Sequence, residues 1–233
     1  MAGHAAPSPD VPESVPPAVR AQLLATEHWS LLASRSTTQS EVLTRISIFL
    51  TLTSAGLVSL ALAGQAMDFD GMFPIIALIV LGLVFLVGVL TQLRVFNVGF
   101  EDLAYVLAMN RLRAAYVALD PGIVPYLMTS PFDDKAGTKQ TYNMLGHESG
   151  PGHFAASSMM LISAVNAALA GLFVAGVTAA LTVPSWIALV AGLIGGAIYL
   201  VVVLTRMDRR YNRVWRAYES RFPSPPEDSQ TTV

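Results

Sequence analysis

Cysteine is absent from this sequence, so disulfide bonds and thiolate metal sites are excluded. Charge is scarce as well: 13% of the 233 residues are charged, against roughly 25% in ordinary soluble domains. Catalytic patterns are also lacking, since there is no nucleophile–base pair, phosphate-cradling glycine loop or carboxylate pair at a fixed spacing. The scarcity of charge excludes an ordinary soluble surface. Because catalytic patterns are missing, we predict a non-enzymatic protein without catalytic residues, bound cofactors or bound metal.

Long uncharged runs take the place of the missing charge, at residues 46–67, 71–93 and 154–205. About 20 apolar residues cross a bilayer core of roughly 30 Å, and the third run is long enough to cross it twice. Pro184 lies near the middle of that run, where proline can open a new helix. We therefore predict an all-α polytopic membrane protein with four transmembrane helices in two hairpins. The first hairpin (46–93) contains helices 46–66 and 72–93, and the second (156–204) contains helices 156–181 and 185–204.

The distribution of basic residues predicts the orientation. All 14 Lys and Arg residues lie outside the predicted spans and outside the two hairpin tips. Basic residues in short flanking segments are retained on the cytoplasmic side of a membrane. We therefore predict a multi-pass protein of the plasma or inner membrane with its N-terminus, C-terminus and middle segment in the cytoplasm.

The other segments are assigned by composition. We predict disordered tails at 1–17 and 223–233, a cytoplasmic helical segment at 18–45, a cytoplasmic helix followed by a Pro/Gly-rich loop at 94–155, and a basic amphipathic cytoplasmic helix at 205–222. Within 18–45, the polar run Ser36–Ser40 is expected to interrupt the helix. Asp133, Asp134 and Lys135 are expected to form a solvated turn in the loop.

Two helices of the cytoplasmic side have an apolar face. In the first, the face consists of Phe96, Phe100, Leu103 and Leu107. In the C-terminal helix it consists of Met207, Tyr211, Val214, Trp215, Tyr218 and Phe222, opposite six arginines. The C-terminal helix could lie on anionic membrane lipids, or its apolar face could pack against the first helix; we favour packing. The basic run is short, so we expect no nucleic-acid partner.

One loop invites a metal hypothesis. His147, Glu148 and His153 could offer two imidazoles and a carboxylate to zinc. Their spacing is not that of a helical zinc-protease motif, and the intervening Gly-Pro-Gly disfavours a helix. We therefore predict a flexible loop here and no metal site.

The third and fourth spans carry small residues at helical spacing, namely Ala167, Gly171, Ala175 and Ala179, with Gly192 and Gly196. Such residues let helices approach closely in lipid, but Ala and Gly are also abundant in any composition of this kind, so the pattern leaves open whether these two spans pack closely. Ser163, Asn166 and Thr178 are the polar residues of the third span and would line a pore if bundles oligomerised. No Asp, Glu, Lys, Arg or His lies inside any predicted span, which disfavours a pump or coupled transporter.

Two stretches, EHWSLLASRS (27–36) and MNRLRAAYVALDPGIVPYLMTSPFDD (109–134), resemble a group of uncharacterised bacterial integral membrane proteins with four spans. The resemblance covers about residues 23–142, and it implies the same four-span layout without an activity, ligand or site residue. The architecture is also loosely similar to the two-span SLATT modules of bacterial defence systems. Because two cytoplasmic helices are amphipathic and no catalytic set is visible, we expect a membrane protein whose cytoplasmic helices bind a protein partner or a second copy, with a small oligomeric pore or transporter as the alternative.

Overall fold

A computed structural model describes residues 15–144, 157–181 and 183–226. In these ranges the chain forms five α-helices and one 3₁₀ helix and contains no strand. Four of the helices are long and apolar enough to cross a membrane. The structure thus confirms an all-α polytopic membrane protein.

The first two helices form one very long antiparallel hairpin. Helix α1 runs from Pro17–Ala66 and helix α2 from Phe73–Leu119. The tight turn between them uses positive φ angles at Asp68, Phe69 and Gly71. At about 1.5 Å per residue, α1 is about 75 Å long, so it greatly exceeds the bilayer core.

The expected interruption of α1 at Ser36–Ser40 is wrong, because the helix continues through it. The shielded residues of this part of α1 recur every three or four positions, as one helix face requires: Leu24, His28, Leu31, Arg35, Thr38, Val42, Ile46, Phe49 and Thr53. Several of them are polar, which hides the stripe from a hydrophobicity pattern. Their partners on α2 keep this polar part of the helix packed.

Helices α4 (Ser158–Ala179) and α5 (Ser185–Ala217) form the second hairpin. A Cβ added at Gly171 would lie 2.8 Å from the carbonyl oxygen of Gly192, and one added at Gly196 would lie 2.7 Å from that of Ala167. Only glycine allows backbones to approach this closely. Of the two interpretations that the sequence left open, the structure shows close packing of the two spans through small residues.

The C-terminal arm differs from the sequence prediction. Helix α5 ends at Ala217, so the expected helix to Phe222 is five residues too long. The chain then runs without helix through Tyr218–Pro226, which we call the strap. Pro223 to Pro226, predicted to begin a disordered tail, belong to this described strap, whereas residues 1–14 and 227–233 lie outside the described ranges.

The loop after α2 is locally ordered by caps and turns. A 3₁₀ helix spans Pro121–Tyr126, and its first turn is capped by the Asp120 carboxylate, which accepts from the Gly122 amide at 2.9 Å. Helix α3 spans Lys135–Tyr142, and Asp134 caps it by accepting from the Gly137 amide at 2.7 Å. These short helices lie against the end of α2 that is outside the spans.

Candidate docking surface on the extramembrane stalk

The part of the α1–α2 hairpin beyond the spans forms an extramembrane stalk, residues 17–45 and 94–119. From Ile46 to Pro17 and from Leu93 to Leu119 the helices continue for 29 and 26 residues, or about 40 Å each. The headgroup layer adds only about 5–8 Å to each side of the hydrocarbon core. On the predicted span bounds, most of the stalk therefore lies in water.

Ion pairs set the register between the two stalk helices. The Asp102 carboxylate accepts from Arg35 Nε at 2.6 Å, from Gln39 Nε2 at 2.8 Å and from the Tyr142 hydroxyl at 2.6 Å. Burial would raise the pKa of Asp102, but these donors outweigh it and lower that pKa. Burial and the Asp102 hydrogen bond raise the pKa of Tyr142 far above its ordinary value, so this phenol stays a donor. Helix α3 is thereby attached to the α1–α2 pair.

A second contact joins the stalk helices farther from the membrane. The Tyr116 hydroxyl donates to the carbonyl oxygen of Leu24 at 3.0 Å, and its ring stacks on the His28 imidazole at a centroid distance of 5.9 Å. Burial, followed by the charge of Arg113, lowers the pKa of His28. The imidazole is therefore neutral at pH 7 and packs as an aromatic ring.

Asp133, in the loop before α3, accepts more hydrogen bonds than any other described carboxylate, and its predicted place in a solvated turn is wrong. Its side chain is fully buried, with 0% exposed. Its backbone amide donates to the Phe222 carbonyl at 3.0 Å. The carboxylate accepts five hydrogen bonds, four of them from the strap: Arg111 Nε at 2.6 Å, the Tyr218 hydroxyl at 2.8 Å, Ser220 Oγ at 2.6 Å, and the amides of Arg221 at 3.1 Å and Phe222 at 2.7 Å.

This arrangement makes Asp133 a clamp for the strap. Burial alone would raise the pKa of Asp133, but the donors from Ser220, Arg111 and the strap amides hold it well below its usual range. The neighbouring Asp134 extends the clamp, since its carboxylate accepts from the amide of Ser224 at 2.7 Å and from the Ser224 hydroxyl at 2.9 Å. The end of the described chain is thus fixed to the loop before α3.

Beyond the spans, Arg210 joins the C-terminal helix to α2, although the sequence predicts that the apolar face makes this contact and that Arg210 lies opposite it. Its guanidinium lies 4.4 Å from the centroid of the Phe100 ring, and its Nη1 donates to the Asn97 side chain at 3.0 Å. Farther from the membrane, the strap rather than the helix contacts α2: the Arg111 guanidinium contacts the Tyr218 ring and hydroxyl. Between these two bridges the helices leave space.

That space is an apolar groove of about 510 Å³, which we call the stalk groove. Its walls come from α1, α2, α5 and the first strap residue: Glu27, Leu31, Phe100, Leu103, Ala104, Leu107, Ala108, Arg111, Leu112, Val214 and Tyr218. Phe100 lies seven residues and Leu112 lies 19 residues past Leu93, or about 10 and 28 Å along the helix. Most of the groove is therefore beyond the reach of lipid.

Large apolar side chains also remain exposed on the outer side of α1. Trp29 is 72% exposed and Leu23 is 62% exposed. Trp29 precedes Ile46 by 17 residues, about 26 Å along the helix, so it is too far out for an interfacial tryptophan. The stalk thus presents both an apolar groove and apolar side chains to water.

The polar residues of the third span lie inside the chain. Gln92 Nε2 donates to Ser163 Oγ, and Asn166 Nδ2 donates to Gln92 Oε1, each at 2.9 Å. The Tyr199 hydroxyl also donates to Gln92 Oε1. Ser163 and Asn166 are fully buried within one chain, so they do not face outward as a pore between oligomerised bundles requires. Thr178 donates to the carbonyl oxygen of Val174 in its own helix at 2.8 Å.

The residues considered for metal, His147, Glu148 and His153, lie outside the described ranges. Within the ranges that are described, no three His, Asp or Glu side chains are grouped as a metal site requires. Asp133 and Gln92 were missed as centres of polar clusters. The sequence could have indicated Gln92, because an amide inside an otherwise apolar span needs a hydrogen-bond partner. No feature of the sequence around Asp133 indicates its cluster.

No family model, no curated protein and no solved structure matches this chain. The resemblance drawn from residues 27–36 and 109–134 stays a prediction.

Proposed function

We propose that this chain is a non-enzymatic, multi-pass protein of the plasma or inner membrane that self-associates through its stalk. In the proposed contact, the stalk groove of one copy receives Trp29 and Leu32 from α1 of a second copy. The basic residues around the spans support a cytoplasmic location for the stalk and both termini.

The observation that carries this proposal is the stalk groove itself. Its lining is almost entirely apolar, and it extends to about 28 Å beyond the span, where neither acyl chains nor headgroups can cover it. Contiguous apolar surface in water marks protein–protein contact sites. A protein surface is therefore the fitting occupant, and a membrane lipid is not.

The level of the exposed side chains in the stalk points to a second copy as that protein. Copies inserted with the same orientation in one bilayer hold each residue at the same distance from the membrane. Trp29 and Leu32 lie about 26 and 21 Å before the span, and Leu107 to Leu112 lie about 21 to 28 Å after it. Lateral movement alone would bring these side chains to the groove of a neighbour.

The contact is heterologous, since the two surfaces differ. Repetition of a heterologous contact gives either a closed ring or an open chain of copies. Burying an exposed Trp and Leu in an apolar groove contributes roughly 1.5–3 kcal/mol per side chain. Diffusion within a membrane and insertion in one orientation lower the entropic cost that two proteins in solution must overcome.

The test is photocrosslinking in native membranes. A photoreactive benzophenone amino acid replaces Trp29 in one variant and Ser34, an exposed residue on another side of α1, in the control. We expect a crosslinked product of twice the 24.9 kDa chain mass from position 29 and little from position 34. Crosslinking that is equal at both positions, or absent at position 29, would overturn the proposal.

A groove variant provides the reciprocal test. Ala104 lines the groove and is exposed, so Ala104→Glu adds a charge to the groove without entering the core. We expect this substitution to abolish the crosslink from position 29 while the purified chain keeps its melting temperature. An unchanged crosslink would show that Trp29 meets a different surface.

A further inference from the structure

A second cleft lies closer to the membrane than the stalk groove, and its lining differs in charge. It encloses about 410 Å³ between α2, α3, the start of α4 and α5. The floor is apolar and aromatic, and the side formed by α3 carries two lysines. The residues that line the cleft are Phe96, Gly99, Phe100, Leu103, Lys135, Thr138, Lys139, Tyr142, Asn143, Met159, Met207 and Tyr211. We call it the interfacial cleft.

The inner end of the cleft lies at the level of the lipid headgroups, and its outer part reaches Leu103, about 15 Å past the span. Phe96 and Met207 each follow the last predicted span residue by three positions, or about 5 Å along the helix axis. Met159 belongs to the predicted third span, so the inner end of the cleft reaches the hydrocarbon region. An apolar floor at this level can hold the upper part of an acyl chain, with the headgroup toward the outer end.

The two lysines give the cleft a single sign of charge. Lys135 and Lys139 are the only lysines of the chain, since the other 12 of its 14 basic residues are arginines. They are one helical turn apart on α3. Among the described residues neither forms an ion pair, and no carboxylate lines the cleft. The nearby Asp102, which Tyr142 contacts, is already paired with Arg35.

We infer that the interfacial cleft binds an anionic phospholipid, with its phosphate between Lys135 and Lys139 and its acyl chain on Phe96, Met159 and Met207. A lysine ammonium is a compact charge that pairs readily with phosphate. The inner end of the cleft lies at the level where such lipids reside, which favours a lipid over a free phosphate ion. The inference rests on the cleft and is independent of self-association through the stalk groove.

Amine acetylation tests the inference, because the only amines are these two lysines and the N-terminus. The chain is placed in nanodiscs of phosphatidylcholine alone or with phosphatidylglycerol, and acetylation is followed by mass spectrometry. Pairing with an anionic surface contributes about 1 kcal/mol per basic residue, so acetylation of both lysines should slow about fivefold with phosphatidylglycerol. The N-terminal amine is the internal control and should react at an unchanged rate.

Two further arms separate the alternatives. Inorganic phosphate added to phosphatidylcholine nanodiscs should not protect the lysines; equal protection would assign the site to a free anion. Native mass spectrometry should show a retained phosphatidylglycerol that is lost in Lys135→Gln/Lys139→Gln and kept in Arg206→Gln/Arg209→Gln, which removes the same charge from α5. Equal loss in both double variants, or lysines that react at one rate in both lipids, would overturn the inference.

Discussion

Asp133→Asn is the substitution that tests the clamp most directly. Asparagine has nearly the same shape but places an amide where one carboxylate oxygen accepts hydrogen bonds. Either orientation of that amide turns it toward at least two of the five donors. We therefore expect the strap to detach locally while the spans stay folded, because the spans have no contact with this carboxylate.

The cost follows from the number and type of bonds that are lost. Hydrogen bonds to a charged group contribute about 1.5–3 kcal/mol each, and removal of one partner of a buried pair costs about 3–5 kcal/mol. Arg111 is partly exposed and can regain water, so the lower bound applies. Opening of the strap should become easier by about 3 kcal/mol, or roughly 150-fold in its equilibrium constant.

Hydrogen–deuterium exchange measures this opening, because the amides of Arg221 and Phe222 both donate to Asp133. Their exchange should accelerate about 150-fold in Asp133→Asn, in line with the change in the opening equilibrium. The matched control is Asp208→Asn, which removes the same charge from a carboxylate whose one hydrogen bond within the described ranges comes from Asn212. Since the pKa of Asp133 is depressed, the clamp is intact above the ordinary Asp pKa of about 3.9 and weakens only at lower pH. Slow exchange at both amides in Asp133→Asn would refute the assignment of the clamp.

Three other predictions follow from single residues. Gly88→Ala should lower the melting temperature by about 5 °C, because the added Cβ would lie 2.0 Å from a buried amide oxygen. Gly99→Ala is the control and should leave the melting temperature unchanged, because its Cβ would meet only the end of a methionine side chain at 3.4 Å. Because the pKa of His28 is lowered, its contribution to the free energy of unfolding should be complete above pH 6.5 and should decrease at lower pH. The melting temperature should therefore fall less between pH 7 and pH 5 in His28→Gln than in the unchanged protein. In intact cells a membrane-impermeant maleimide should label Asp70→Cys, and should label Ser34→Cys only after permeabilisation; the reverse pattern would invert the proposed orientation.

The membrane-spanning helices could be predicted from the sequence because a bilayer imposes one local rule. Every residue of a span is transferred to hydrocarbon, so the absence of charge over about 20 residues is itself the signal. The α4–α5 contact could be named as one of two interpretations, because close approach in lipid requires small residues at helical spacing, as at Gly171 and Gly192. Both features depend on residues near each other in the chain.

The stalk could not be predicted in the same way, because its polar residues are satisfied by distant partners. Arg35 reads as a solvated charge until Asp102, 67 residues later, is placed beside it. Asp133 reads as part of a turn until the strap returns from about 85–90 residues further along the chain. A local pattern predicts that such residues are exposed to water, whereas in the fold they are hydrogen-bonded to each other.

The same clamp determines whether the two proposed binding surfaces exist at all. Helix α5 is fixed at two places: against α4 in the membrane, where Gly192 contacts Gly171, and at its outer end, where the strap is held by Asp133. Both the stalk groove and the interfacial cleft are spaces between α2 and the part of α5 between those two points. Release of the strap would leave Arg210 as the outermost described contact between α5 and α2, with the bond from Tyr199 to Gln92 farther in. Asp133→Asn should therefore weaken both the crosslink from position 29 and the protection of the lysines, whereas Ala104→Glu should affect the first and spare the second.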